Sequence, residues 1–329
     1  MKILVTGGAG YVGSHAVLAL RARGADVVVL DNLRQGHAAA VPAGVRLIEG
    51  DIGDAALLDP LLGEGFDAVL HFAALSLVGE SMQKPMLYLR ANAAAGMVLI
   101  EACLRHQVGR FVLSSTANLF AGGDAPLDEA AAIDPGSPYG ESKWMLERAL
   151  TWAGRTRGLK SVALRYFNAA GADPDGRLGE DHDPETHLIP LAIDAALGRR
   201  PELAIFGTDY PTPDGTCIRD YVHVSDLAEA HVRALERLAA APEGAALAYN
   251  LGTGHGHSVR AVLAAVGRVA GRAVPAQEAP RRAGDPAILV ASAARFMAET
   301  GWAPRFGDLD TIVATAHAWR VAHPGGYGG

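Results

Sequence analysis

The chain has 329 residues, enough for one large core or two lobes that fold together, and half of them are apolar, which excludes generic disorder. Its 29 basic and 36 acidic residues leave a formal net charge of -7 with no basic stripe interleaved with aromatics, so no nucleic-acid partner is expected, whereas a small anionic ligand is compatible. Cys103 and Cys217 are too few for a disulfide framework, no secretory signal opens the chain, and charges interrupt the apolar stretches, so a soluble cytoplasmic protein with no membrane partner is expected.

The elements follow in chain order. Residues 2–6 pattern as a short strand, a glycine turn follows, residues 11–22 read as a helix, and a nearly pure strand signal ends at Asp31, which together make a βαβ unit. Apolar runs at 45–49, 68–72, 111–114 and 161–166 alternate with helix-compatible segments. The predicted fold class is therefore α/β, a Rossmann-like doubly wound parallel sheet covered by helices on both faces. The helical period over 86–106 is interrupted near Asn92 and Gly96, while 139–155 is a clearer helix with Pro138 at its start, where the missing N–H costs little.

Beyond Asn168 the texture changes. GADPDG, GEDHDPETH and FGTDYPTPDGT are long polar segments flanking a predicted helix at 188–197, and loops of this kind suit a lobe that covers a ligand. The expected division is a dinucleotide-binding domain at 1–170 and a smaller mixed α/β substrate-binding domain at 171–329, with segments such as 222–238 returning to the first.

In TGGAGYVGSH, Gly7, Gly10 and Gly13 stand at GxxGxxG spacing. Glycines alone mark any tight turn. Here they follow a strand and open a helix, where missing side chains let a pyrophosphate approach and helix N-terminal N–H groups face its oxygens. Asp31 closes the next strand, placed to accept from an adenosine ribose and to repel a 2′-phosphate, so NAD is the expected cofactor rather than NADP. Asp51 is read as an adenine-edge contact or as the cap of the following helix, and Asn92 as a cofactor contact or a core hydrogen-bonding residue.

Tyr139 and Lys143 lie four residues apart on one helical face. A phenolate can take a sugar hydroxyl proton, and nearby positive charge favours that form over the ordinary phenol. The pattern is permissive by itself. Its place one crossover after Ser114, Ser115 and Thr116 lets Thr116 sit beside the same reacting oxygen, with Ser115 fixing the turn.

These features resemble the extended short-chain dehydrogenase/reductase superfamily and, within it, the UDP-glucose 4-epimerase family. The resemblance runs through TGGAGYVGSH, DNLRQGH, EGDIGD, HFAALSLVGES, SSTA, PYGESK and LRYFNAAGADPDG, and continues through GEDHDPETHLIPL, IFGTDYPTPDGTCIRDYVHV and APRRAGDP. It implies reversible interconversion of UDP-glucose and UDP-galactose through a transient 4-ketohexose, with no net redox change. It also implies that Tyr139 is general base and then acid, that Lys143 tunes it and binds the nicotinamide ribose, and that Thr116 assists at the sugar. Gly7, Gly10, Tyr11, Val12, Gly13, Asp31, Asn32, Asp51, Ile52, Phe72, Asn92 and Phe167 match cofactor positions. Asn168, Leu188 and Phe206 match substrate positions, Arg219 and Arg282 match diphosphate ligands, and Asp285 accepts a ribose hydroxyl or orients its loop. A homodimer is implied. No metal is expected, because His187, His223, His255 and His257 fit no recognised metal spacing.

The sequence departs from the family after Thr116. Asn118 replaces a small hydroxyl residue and Phe120 a tyrosine, which bears on sugar alignment and leaves the YxxxK pair intact. Leu289 falls where some members have tyrosine, so room for an N-acetyl group is expected. UDP-xylose, UDP-glucuronate and UDP-N-acetylhexosamine 4-epimerases preserve nearly all these residues, and a non-catalytic NAD-sensing regulatory protein is the alternative of another class. A 4,6-dehydratase would need acidic residues where Ala117 and Asn118 stand.

Overall fold

The computed structural model describes residues 1–123, 125–282 and 285–328, so Ala283 and Gly284 of the RRAGDP motif lie outside the described residues. Its strands are β1 (Lys2–Thr6), β2 (Asp26–Asp31), β3 (Arg46–Glu49), β4 (Ala68–His71), β5 (Arg110–Ser114), β6 (Lys160–Tyr166) and β7 (Asn168–Ala170). They continue as β8 (Leu203–Phe206), β9 (Ile218–His223), β10 (Ala246–Leu251), β11 (Gly256–Ser258), β12 (Ala276–Ala279) and β13 (Ile288–Leu289).

Seven strands form one sheet in the order β10-β6-β5-β4-β1-β2-β3, every neighbouring pair parallel. The sequence explains why both faces are covered. On β2, Val27 and Val29 enter one apolar cluster while Val28 and Leu30 enter the other. Helices Tyr11–Ala22 and Val224–Ala239 cover the first face through Val17, Leu20, Leu227 and Leu235. Helices Ala55–Leu62, Ala95–Arg105 and Pro138–Arg157 cover the second through Leu58, Leu99 and Leu146. Each such side chain contributes about 1.5–3 kcal/mol on burial. Strand order reverses between β1 and β4, and the crevice beyond their carboxyl ends is where an open α/β sheet takes its ligand.

The interrupted period at 86–106 is a real irregularity. Helix Pro85–Tyr88 passes through a π-helical turn, Leu89–Ala94, into Ala95–Arg105, and Asn92 lies in that turn. The 21-residue run Pro85–Arg105 is the one helix among the described residues long and apolar enough to cross a membrane, although the sequence suggested that charge interrupts every such stretch. Leu99, Ile100, Ala102 and Cys103 are instead buried in the core beneath the sheet.

Residues after Asn168 build a second layer. β9 pairs with β7, β11 and β13 in a separate four-stranded sheet, and β8 pairs with β12. Helices Leu188–Ala196, Val259–Ala270 and Leu309–Ala322 share the cluster of Ile193, Val262, Val266 and Ile312. β10 and helix Val224–Ala239 pack on the large sheet.

Candidate active site

The turn after β1 is built for close approach. Gly7 has φ +74°, and a Cβ there would stand 2.3 Å from the Ala73 backbone N at the end of β4. A Cβ on Gly13 would stand 2.1 Å from the Gly7 carbonyl oxygen. Gly10 is the N-cap of helix Tyr11–Ala22 and no side chain caps that end, so the N–H groups of Tyr11, Val12 and Gly13 are left to an anion. The buried Asp31 carboxylate braces the turn by accepting from Ala9 N and Leu33 N, each at 2.9 Å. Burial pushes its pKa up, against those two hydrogen bonds. One lone pair remains on each oxygen for a ribose hydroxyl.

Asp51 is not the cap of the helix after it. Asp54 takes that place, accepting from Ala56 N at 2.9 Å and Leu57 N at 3.3 Å. Asp51 accepts from Gly53 N at 2.8 Å and from Asn32 Nδ2 at 3.0 Å, beside buried Ile52. Asn92 proves to be a core bracket: its amide accepts from Leu75 N at 2.8 Å and donates to Leu75 O at 2.9 Å and Ser142 Oγ at 3.1 Å. It joins the segment after β4 to the helix carrying Tyr139. Phe72 packs 4.6 Å from the His231 ring, and Phe167 is buried with its N–H donating to Leu251 O at 3.1 Å.

Helix Pro138–Arg157 starts at Ser137, whose hydroxyl accepts from Gly140 N at 3.1 Å, and this start places Tyr139 and Lys143 one turn apart and buried. Lys143 Nζ donates to Ser114 O at 2.8 Å at the end of β5. Burial pushes its ammonium down to about 8. Burial also pushes the Tyr139 phenol above its ordinary value, Tyr166 adds to that, and a hydrogen bond from Thr116 opposes it.

Two elements supporting this pair escaped the sequence reading. Asn118 donates to Thr116 Oγ1 through both its backbone N and its Nδ2, each at 3.1 Å. Glu147, one turn beyond Lys143, accepts from Ser115 Oγ at 2.6 Å and from Arg165 Nη2 at 2.7 Å, with both charged side chains at least 94% buried. Phe120 is buried near the Arg165 guanidinium, 5.8 Å from its ring centroid. A tyrosine hydroxyl there would need a partner of its own.

In the second layer, Asn168 on β7 lies opposite Tyr221 of β9, and these two with His187 and Leu188 line a narrow recess of about 30 Å³. Arg219 pairs with Asp285 and donates to Ile218 O at 2.7 Å. Asp285 thus orients the arginine, whatever else it contacts. The Arg282 guanidinium lies 4.0 Å above the Phe206 ring. Burial raises the nearby Cys217 thiol, so that it stays protonated. Asp220, next to Arg219, was also missed: it is buried and accepts from Thr253 N, Gly254 N and Ala291 N, pinning the loops around Arg219. Leu289 is buried with Ala117, Leu119, Phe120 and Phe167.

A dinucleotide cradle at the switch point of a parallel sheet, with a buried Tyr-Lys pair at the neighbouring strand end, defines a class of α/β nucleotide-binding enzymes. Within it, the chain belongs to the NAD dependent epimerase/dehydratase family, whose sequence pattern matches residues 3–252. The UDP-glucose 4-epimerase of Halalkalibacterium halodurans is 48% identical over 329 residues, covering 99% of this chain and 98% of that one. The crystal structure of UDP-glucose 4-epimerase from Brucella ovis in complex with NAD superposes with a TM-score of 0.92 at 46% identity, covering 96% of this chain and 97% of that one. The Bifidobacterium longum UDP-glucose 4-epimerase in complex with NAD+ and UDP superposes with a TM-score of 0.94 at 35% identity, covering 99% and 100%.

Proposed function

We propose that the protein is a UDP-glucose 4-epimerase, an isomerase that interconverts UDP-glucose and UDP-galactose with NAD as its resident cofactor. The observation that carries this reading is the buried Tyr139 and Lys143 one turn apart on one helix, with Lys143 Nζ tied to Ser114 O at the end of β5, beside a glycine turn where added Cβ atoms would collide with backbone. The relatives named above, two of them holding NAD, support it.

Gly7, Gly10 and Gly13 admit the pyrophosphate to the N–H groups of Tyr11 and Val12, Asp31 takes the adenosine ribose, and Asn32, Asp51, Ile52, Phe72 and Phe167 complete the surround. Asn92 acts from behind, through Leu75 and Ser142. When bound, oxidised NAD supplies a reversible acceptor for the C4 hydrogen and a positive ring. Tyr139 removes the proton of the sugar 4-hydroxyl and later returns it, Thr116 holds that oxygen, and Lys143, anchored on Ser114 O, adds positive charge. Arg219 and Arg282 take the diphosphate as paired N–H donors, with Asn168, Leu188 and Phe206 along the nucleotide. Residues 1–170 carry the cofactor and most of 171–329 the substrate. We read the protein as cytoplasmic and as a homodimer.

The deciding experiment is an interconversion screen over UDP-glucose, UDP-galactose, their N-acetyl forms, UDP-xylose and UDP-glucuronate, with each C4 epimer separated. Turnover of the first pair is expected. Turnover of another pair alone would reassign the sugar and keep the mechanism. Retained NAD with no turnover of any would favour a regulatory NAD sensor.

A further inference from the structure

The segment GEDHDPETH reads as a polar loop, and the structure folds it back on itself. Glu180, His182, Glu185 and His187 each offer one ligand atom, and these atoms lie within 4.8 Å of one another. His187 Nδ1 is 2.8 Å from Glu180 Oε1 and 3.1 Å from Glu185 Oε1, while His182 Nδ1 is 3.3 Å from Glu180 Oε1 and 3.8 Å from Glu185 Oε2.

Proximity alone would suit ordinary ion pairs, and His187 Nδ1 does hydrogen-bond Glu185 Oε1 at 3.1 Å, but the other approaches are misdirected for such bonds. Glu180 Oε1, His182 Nδ1 and Glu185 Oε2 are buried without a hydrogen-bond partner even though oppositely charged atoms stand so near. The Glu180 and Glu185 side chains retain only 7% and 9% exposure. Carboxylate oxygens buried this far and left without a donor are costly unless something else meets them. The four ligand atoms, all within 4.8 Å of one another, are close enough for one ion to reach them together. A tetrahedral ion bound at about 2.0–2.2 Å sets its ligand atoms roughly 3.3–3.6 Å apart, the middle of the spacings here. Glu185 is pre-set for this, since Thr186 N and His187 N hold its Oε1 at 2.8 and 2.9 Å and leave Oε2 free.

We propose that Glu180, His182, Glu185 and His187 form a binding site for one divalent transition-metal ion of the zinc class, which clips residues 180–187 beside the glycine turn. Two imidazole nitrogens with two carboxylates select a borderline ion, whereas calcium and magnesium demand more oxygen ligands. The clip has a defined neighbour. The His182 ring meets Tyr11 edge-on at 6.1 Å, and the Tyr11 hydroxyl donates to Gly171 O at 2.6 Å. Ordering this loop therefore braces Tyr11 at the helix N-terminus and sets the start of helix Leu188–Ala196. The site stands independently of the epimerase reading.

The test uses the untagged full-length protein, freed of metal with a chelator, dialysed and titrated with Co2+. One equivalent should bind with the intense visible bands of tetrahedral cobalt, zinc should displace it, and zinc should raise the unfolding temperature of the unmodified chain. His182→Gln should weaken binding by about 100-fold or more, since even groups that only orient a ligand cost up to that much. If the variant does not fold, the titration of the unmodified protein decides alone. Absence of stoichiometric binding, weak octahedral cobalt bands, or an unfolding temperature unmoved by zinc would each overturn the site.

Discussion

Thr116 Oγ1 accepts two N–H groups from Asn118, so the single proton on that hydroxyl points away from Asn118. The residue that departs from the family pattern thus orients the hydroxyl rather than disabling it. Asn118→Ala should lower kcat about 10-fold with little change in KM, the loss of one oriented hydrogen bond. An unchanged kcat in the steady-state assay would remove Asn118 from this role. Tyr139→Phe should cost about 10²–10⁴-fold in kcat while leaving NAD content near normal. Lys143 offers a pH-dependent check. Its ammonium falls from 10.5 to about 8 on burial, so in the cofactor-free protein the charge is carried at a cost below pH 8. That cost fades between pH 8 and 10.5, because the folded chain sheds the proton first. Lys143→Met should therefore be the more stable chain at pH 7, with the advantage shrinking towards pH 10.5. Urea midpoints at several pH values compare the two chains, and an advantage that grew with pH would contradict the buried-ammonium account.

At the scale of elements, what was legible depended on how locally the physics is written. β1, helix Tyr11–Ala22 and β2 were readable because alternating and 3.6-residue apolar periods are local, as was the glycine turn between them. The π-helical turn Leu89–Ala94 showed only as an interruption, since its cause is the partnership of Asn92 with Leu75 and Ser142, up to 50 residues away. The Ser115-Glu147-Arg165 bracket was invisible for the same reason: its members come from the end of β5, a helix and β6, and nothing in their spacing announces a contact. The four metal-ligand candidates share one nine-residue segment, but their spacing matches no familiar motif. The Glu147 bracket holds the Tyr139 helix against the sheet. Glu147→Gln leaves the Arg165 charge buried without a counter-charge and should destabilise the chain by about 3–5 kcal/mol. A shift in the denaturant midpoint corresponding to less than about 1 kcal/mol would place the pair among surface-like bridges.

For the whole molecule, the unanswered contact is on the far side of the Tyr139 helix. Helices Ala95–Arg105 and Pro138–Arg157 pack so closely that a Cβ on Gly96 would stand 2.7 Å from Leu146 Cδ2. On their outer faces the same helices leave Met97, Met145 and Trp152 exposed, Trp152 at 57%. Met145 and Trp152 are seven residues apart, hence on one side of the helix. Single exposed apolar residues need no explanation, but three on two adjoining helices suit a partner with the same face. If that partner is a second copy, Trp152→Glu should convert the dimer to monomer in light scattering coupled to gel filtration, while Trp152→Phe should leave it dimeric. Because the inner face of the same helix carries Tyr139 and Lys143, the monomer should also lose kcat more than it loses bound NAD. A Trp152→Glu chain that remained dimeric would move the interface elsewhere on the molecule.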